Sequence, residues 1–103
     1  MPRPYSDKFL RELEASGDKG LGVVLARACI RANLPATYVA VALETSRITI
    51  YGWFRGKQIR AKKEKTIETF IELLENDMRE GRLPAKSPAD AKSYIQDMIG
   101  AQF

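Results

Sequence analysis

The sequence predicts an all-α domain of about five to six helices. Three observations lead there. Apolar residues recur at helical spacing over several segments. Ser, Asn, Gly and Pro punctuate those segments where helices start and stop. No β-hairpin signal is present; the local alternation over 45–51 lies inside a helical pattern that ends at Gly56. The 103 residues suffice for one core and not for two. One helical domain is therefore expected over 1–103, with an arm and helix in 1–18, a core in 21–80 and a C-terminal helix in 84–103.

Met1 to Tyr5 contains two prolines and reads as an extended arm, with Arg3 as a charge that can reach a partner. Ser6 is placed to cap a helix running to about Ala15, and Asp7 suits the positive end of its dipole. Phe9, Leu10 and Leu13 form its apolar edge. Gly17 sits where a left-handed residue would end it, in the break over 16–20. The next helix runs from about Leu21 to Asn33. Leu21, Val24, Leu25, Ala28 and Ala32 make its stripe, with Arg27 and Arg31 on the other side. Cys29, beside the stripe, reads as a small packed residue.

Asn33-Leu34-Pro35 ends that helix and starts another, since proline is tolerated in a first turn. Val39, Ala40 and Leu43 share one face of a short helix from Thr37 to Leu43. A polar break, Glu44-Thr45-Ser46, follows. Ser46 is a good cap for a second short helix that carries Ile50 and Trp53 and ends at Gly56. Two helices joined by about three residues must cross steeply, the geometry of a helix-turn-helix, and such a unit needs neighbours to bury its apolar face.

Lys57 to Lys65 begins as a loop and enters a long helix near Ala61. Its stripe is Ile67, Phe70, Ile71, Leu74 and Met78, widened by Leu73. Gly81 and Pro84 stop it, and 81–86 is a connector. Ser87-Pro88-Ala89-Asp90 is a capping-box-like start with proline at the first position. The last helix, to about Ile99, shows Ala91, Tyr94, Ile95, Met98 and Ile99; Gly100 ends it and Phe103 lies at the tip. These apolar groups either close the core or form a dimer surface.

Net charge is +4, and its placement is uneven. Arg47, Arg55, Lys57, Arg60, Lys62, Lys63 and Lys65 face one acid, Glu64, giving +6 over 47–65, while the rest carries 10 basic and 12 acidic groups. A local basic cluster on a near-neutral body suggests a polyanion partner. One cysteine and no histidine argue against a disulfide, a zinc site and imidazole acid–base chemistry. No cofactor is expected, and an enzyme is not. No apolar run nears the roughly 20 residues that span a bilayer, and the N-terminus lacks a signal core, so an intracellular, cytoplasmic protein is expected.

The stretch Leu34–Lys57, LPATYVAVALETSRITIYGWFRGK, resembles the phage-repressor/Cro-like (XRE-type) helix-turn-helix family. Leu34 falls at its pre-motif leucine, Val39-Ala40 at its Leu-Ala, and Leu43 at the last core residue of its scaffold helix. Ser46 matches the recognition-helix cap, Ile50 and Trp53 the core contacts, and Arg55-Gly56-Lys57 the closing segment. The likeness covers Leu21 to about Leu74. Three positions depart. Pro35-Ala36 replaces Thr-Gln, removing a phosphate-contacting Gln. Glu44 replaces a turn Gly, and a non-Gly residue there costs about 1–2 kcal/mol if left-handed. Phe54 replaces an acid.

The resemblance implies a lambda-repressor-like core and sequence-specific binding of double-stranded DNA by a repressor-like transcriptional regulator, phage-like and nucleoid-associated. A recognition helix over about 46–55 would lie in the major groove. Arg47, Ile48 and Gly52 would read base edges, with Tyr51 adjacent. Arg47 suits guanine O6 and N7, and Ile48 a thymine methyl. Gly52 admits a close sugar or phosphate, and otherwise costs about 1 kcal/mol inside a helix. Tyr51 alternatively packs against Phe54. Thr37, Ser46, Arg55, Lys57, Arg60, Lys62 and Lys63 would hold phosphates, with Tyr38 beside Thr37 as a second hydroxyl donor. Family members bind as homodimers on half-sites about 34 Å apart. The alternative is a helix-turn-helix scaffold that docks a protein, an RNA polymerase or another regulator, through Ile48, Tyr51, Phe54 and the C-terminal helix.

Overall fold

A computed structural model of the chain describes residues 5–16 and 20–100. Six helices follow one another: α1 (Asp7–Ser16), α2 (Leu21–Arg31), α3 (Ala36–Ala42), α4 (Arg47–Phe54), α5 (Ala61–Arg79) and α6 (Pro88–Ile99). The starts follow local chemistry. The Ser6, Ser46 and Ser87 hydroxyls accept from the backbone N–H of Phe9 (3.1 Å), Thr49 (3.1 Å) and Asp90 (3.0 Å). Asp90 answers by accepting from the Lys86 N–H at 2.8 Å. The ends are as local. Left-handed residues stand after α2 (Asn33, φ 57°), α3 (Glu44, φ 54°) and α4 (Gly56, φ 97°). Behind each, a 3.0 Å bond spans the last turn: Leu34 N–H to Cys29 O, Thr45 N–H to Ala40 O, and Lys57 N–H to Gly52 O.

Helix α2 packs against α4 and α5, while α3 packs against α4 and α6. Leu25, Ala28, Cys29, Leu34, Val39, Ile50, Ile67, Leu74, Ala91 and Ile95 are fully buried in one core. Among the described residues no charged or polar side chain is buried with them. No helix is long and apolar enough to cross a membrane among these residues.

The face of α2 differs from the expected stripe. Val24 is exposed and shares a face with Arg27 and Arg31, whereas Gly22, Val23, Ala26 and Cys29 are buried. Small residues at 22, 26 and 29 add a second buried stripe, along which a neighbouring helix comes very close. A Cβ built on Gly22 would lie 2.0 Å from the Trp53 carbonyl oxygen of α4. Leu73 likewise does not widen the buried stripe of α5; it is 44% exposed. Ile67, Phe70, Ile71 and Leu74 are the buried residues of α5, with Met78 half-buried beside them.

The N-terminal segment also departs from expectation. Tyr5 is buried, not part of an extended arm, and its hydroxyl donates to the Leu34 carbonyl at 2.7 Å. Its ring packs among Phe9, Tyr51 and Phe54, with centroid distances of 5.6, 6.5 and 6.1 Å. Arg3, Gly17 and Phe103 lie outside the described residues. At the other end, the connector after α5 is stitched to α2. The Asn33 side-chain amide donates to Ala85 O at 2.8 Å, and the Ala85 N–H donates to Ala32 O at 2.9 Å. This brings Leu83, Ala85, Ala91 and Ile95 into the core.

Candidate nucleic-acid interface

The N-terminal turn of α4 projects away from the body. With Ile50 and Trp53 buried beneath, Arg47, Ile48 and Thr49 are all exposed. Ile48 is 82% exposed, by far the most exposed large apolar side chain described. Burying such a group on a partner is worth about 2 kcal/mol. The Ser46 hydroxyl is already engaged in capping and donates to the Thr49 hydroxyl at 2.9 Å.

Further along α4 the surface closes. Tyr51 is half-buried, its ring edge-on to Phe9 (5.9 Å) and Phe54 (6.0 Å). Phe54 is buried in the aromatic cluster and offers no docking surface. Gly52 is buried under the methylenes of Lys57; a Cβ there would meet Lys57 Cδ at 3.1 Å. The glycine thus lets the side chain of Lys57, an exposed residue, lie across α4.

Arg55, Lys57, Arg60 and Lys62 are exposed, and none has an ion-pair partner among the described residues. Lys63 is half-buried and donates to the Leu43 carbonyl at the C-terminus of α3, 3.0 Å away. That bond brings the basic start of α5 beside the turn that precedes Arg47. Lys65, counted in the charge cluster but not among the candidate contacts, is exposed as well. Thr37 is exposed at the start of α3, and Tyr38 is half-buried. Lys62 and Lys63 occupy the first turn of α5 against one acid, Glu64. The helix dipole disfavours cations there by about 0.3–1 kcal/mol each, so their placement opposes helix stability.

Burial pushes the Cys29 thiol far up, so it stays protonated and unreactive. The Tyr5 phenol is raised in the same way, chiefly by burial. No protein-family model, curated protein or solved structure matches this chain.

Proposed function

We propose that this chain is a sequence-specific DNA-binding regulator in which α3, the 43–46 turn and α4 act as a helix-turn-helix of the phage-repressor type. The observation that carries the reading is Ile48. A large apolar side chain stands almost wholly in water beside exposed Arg47, at the free end of a helix flanked by unpaired cations. A major-groove edge offers both a thymine methyl and guanine acceptors to such a pair. Arg47 and Ile48 are then the base readers. Tyr51 and Gly52 act indirectly, Tyr51 by anchoring α4 to α1 and Gly52 by seating Lys57. Arg55, Lys57, Arg60 and Lys62 take phosphates, and Lys63 orients the start of α5 through Leu43. Ser46 and Thr37 stand at the starts of α4 and α3, where free N–H groups also favour phosphate. The longest dimension, 32 Å, suits two copies on half-sites about 34 Å apart.

Binding sites selected from random duplex DNA test the reading. Arg47→Ala should cost about 1–3 kcal/mol on the selected site and relax one base preference. Lys62→Ala should weaken all sequences alike and lower the salt slope by about 1. Unchanged specific binding by Arg47→Ala would reject the assignment. A protein-docking use of the same helices retains Ile48 but loses Phe54, which is buried. Affinity that barely changes with salt would favour that use over DNA.

A further inference from the structure

Beside the basic start of α5 lies an open groove of about 470 Å³, walled by α5, the end of α3 and α6. Leu43, Phe70, Leu73 and Met98 give it apolar lining, and Lys62 and Lys65 stand at its α5 N-terminal end. Along α5, Lys62 and Leu73 are about 16 Å apart at the helical rise.

The charge on α5 is sided. Glu64, Glu68, Glu72 and Glu75 form one row at helical spacing, and Glu75 pairs with Arg31 of α2 at 3.8 Å. The groove row is Lys62, Lys65, Thr66, Thr69 and Leu73, with no acid among them. Lys62 and Lys65 are exposed and have no ion-pair partner among the described residues. The groove is therefore cationic at one end and apolar at the other, with Leu73 left 44% exposed.

That polarity selects the occupant. Nucleic acid would satisfy the lysines but gain nothing from Leu73 and Met98. A second copy joined across a two-fold axis at the groove's middle would set each cationic end against the other copy's apolar end and leave the lysines without an opposite charge. A segment with carboxylates at one end and a large apolar side chain at the other satisfies both halves. We propose that this groove docks an acidic, apolar-bearing peptide segment of a partner protein; it adjoins the proposed DNA-facing surface and shares Lys62 with it, while Lys65, Leu73 and Met98 belong to the groove alone.

The test uses the full chain and a short fluorescein-labelled peptide of Asp, Glu, Leu and Phe, with a Lys-for-acid version as control. Fluorescence anisotropy should show saturable binding of the acidic peptide and none of the control. Lys65→Glu and Leu73→Asp should each weaken it about tenfold or more, in line with loss of a central contact. Thr69→Glu, an exposed change in the middle of the groove, should do the same with an unaltered melting temperature. Binding that survives all three variants, or no binding at all, overturns the proposal. Two further outcomes also overturn it. Loss of self-association in Leu73→Asp by sedimentation would make a second copy the occupant. Loss of duplex affinity in Leu73→Asp matching that of Arg47→Ala would make it DNA.

Discussion

Gly22 shows how much can rest on one missing methyl group. With the Trp53 carbonyl 2.0 Å from where a Cβ would sit, α2 and α4 must separate to admit alanine. Alanine gains about 1 kcal/mol of helix propensity, but a clash with rigid backbone costs about 3. Gly22→Ala should therefore destabilise by about 2 kcal/mol and lower Tm by roughly 10 °C, read from a thermal melt. Little in the sequence warns of this, because a glycine inside a helical pattern looks merely tolerated. Its signal was the spacing of small residues at 22, 26 and 29, which only a neighbouring helix makes meaningful. Ile48 is the converse case. Its oddity as a surface residue was legible, because the buried positions of α4 were already claimed by Ile50 and Trp53.

At the scale of elements, α3 and α4 are short and owe their limits to termination chemistry. Glu44 holds a left-handed conformation at φ 54°, a position that suits glycine. The strain costs about 1–2 kcal/mol, part of which glycine returns through its freer unfolded chain. Glu44→Gly should thus stabilise the protein by about 0.5–1 kcal/mol, seen as a higher urea midpoint at unchanged slope. Duplex binding should stay as it is, since the turn geometry is retained. The boundaries of α4, α5 and α6 were readable from Ser46, Gly56, Ala61, Ser87 and Gly100, because caps act within a turn of the chain. The faces were less readable. Leu73 and Val24 fit an apolar stripe by spacing, yet each lies just beyond the width that its neighbour covers.

Across the whole molecule, Asp77 ties the end of α5 to the connector that follows it and to α6, 17 residues on. Its carboxylate accepts from Arg82 Nη2 at 2.7 Å and Nε at 3.0 Å in the connector, and from the Tyr94 hydroxyl of α6. Partial burial pushes its pKa up, but the Tyr94 hydrogen bond and Arg82 outweigh that and hold it below the usual carboxylate value. A depressed carboxylate stabilises above its unfolded pKa, near 3.9, and the contribution is lost as pH falls through the folded value. Tm should accordingly drop as acid is added below about pH 4, and Asp77→Asn should flatten that limb while lowering Tm at neutral pH. Solvent around exposed Arg82 keeps the effect small.

The sequence by itself determined the all-α class, a count of about five to six helices and most of their ends, because caps, glycine stops and apolar period act over a few residues. It also located the positive excess over 47–65. Only the tertiary structure decided that Tyr5 is core, reaching Leu34 across 29 residues, and that Tyr51 and Phe54 join it. It alone turned Gly52 toward Lys57 and joined Lys63 to Leu43. Period specifies that a helix has an apolar face. How wide that face is, and which polar groups it meets, depends on partners brought together only by folding.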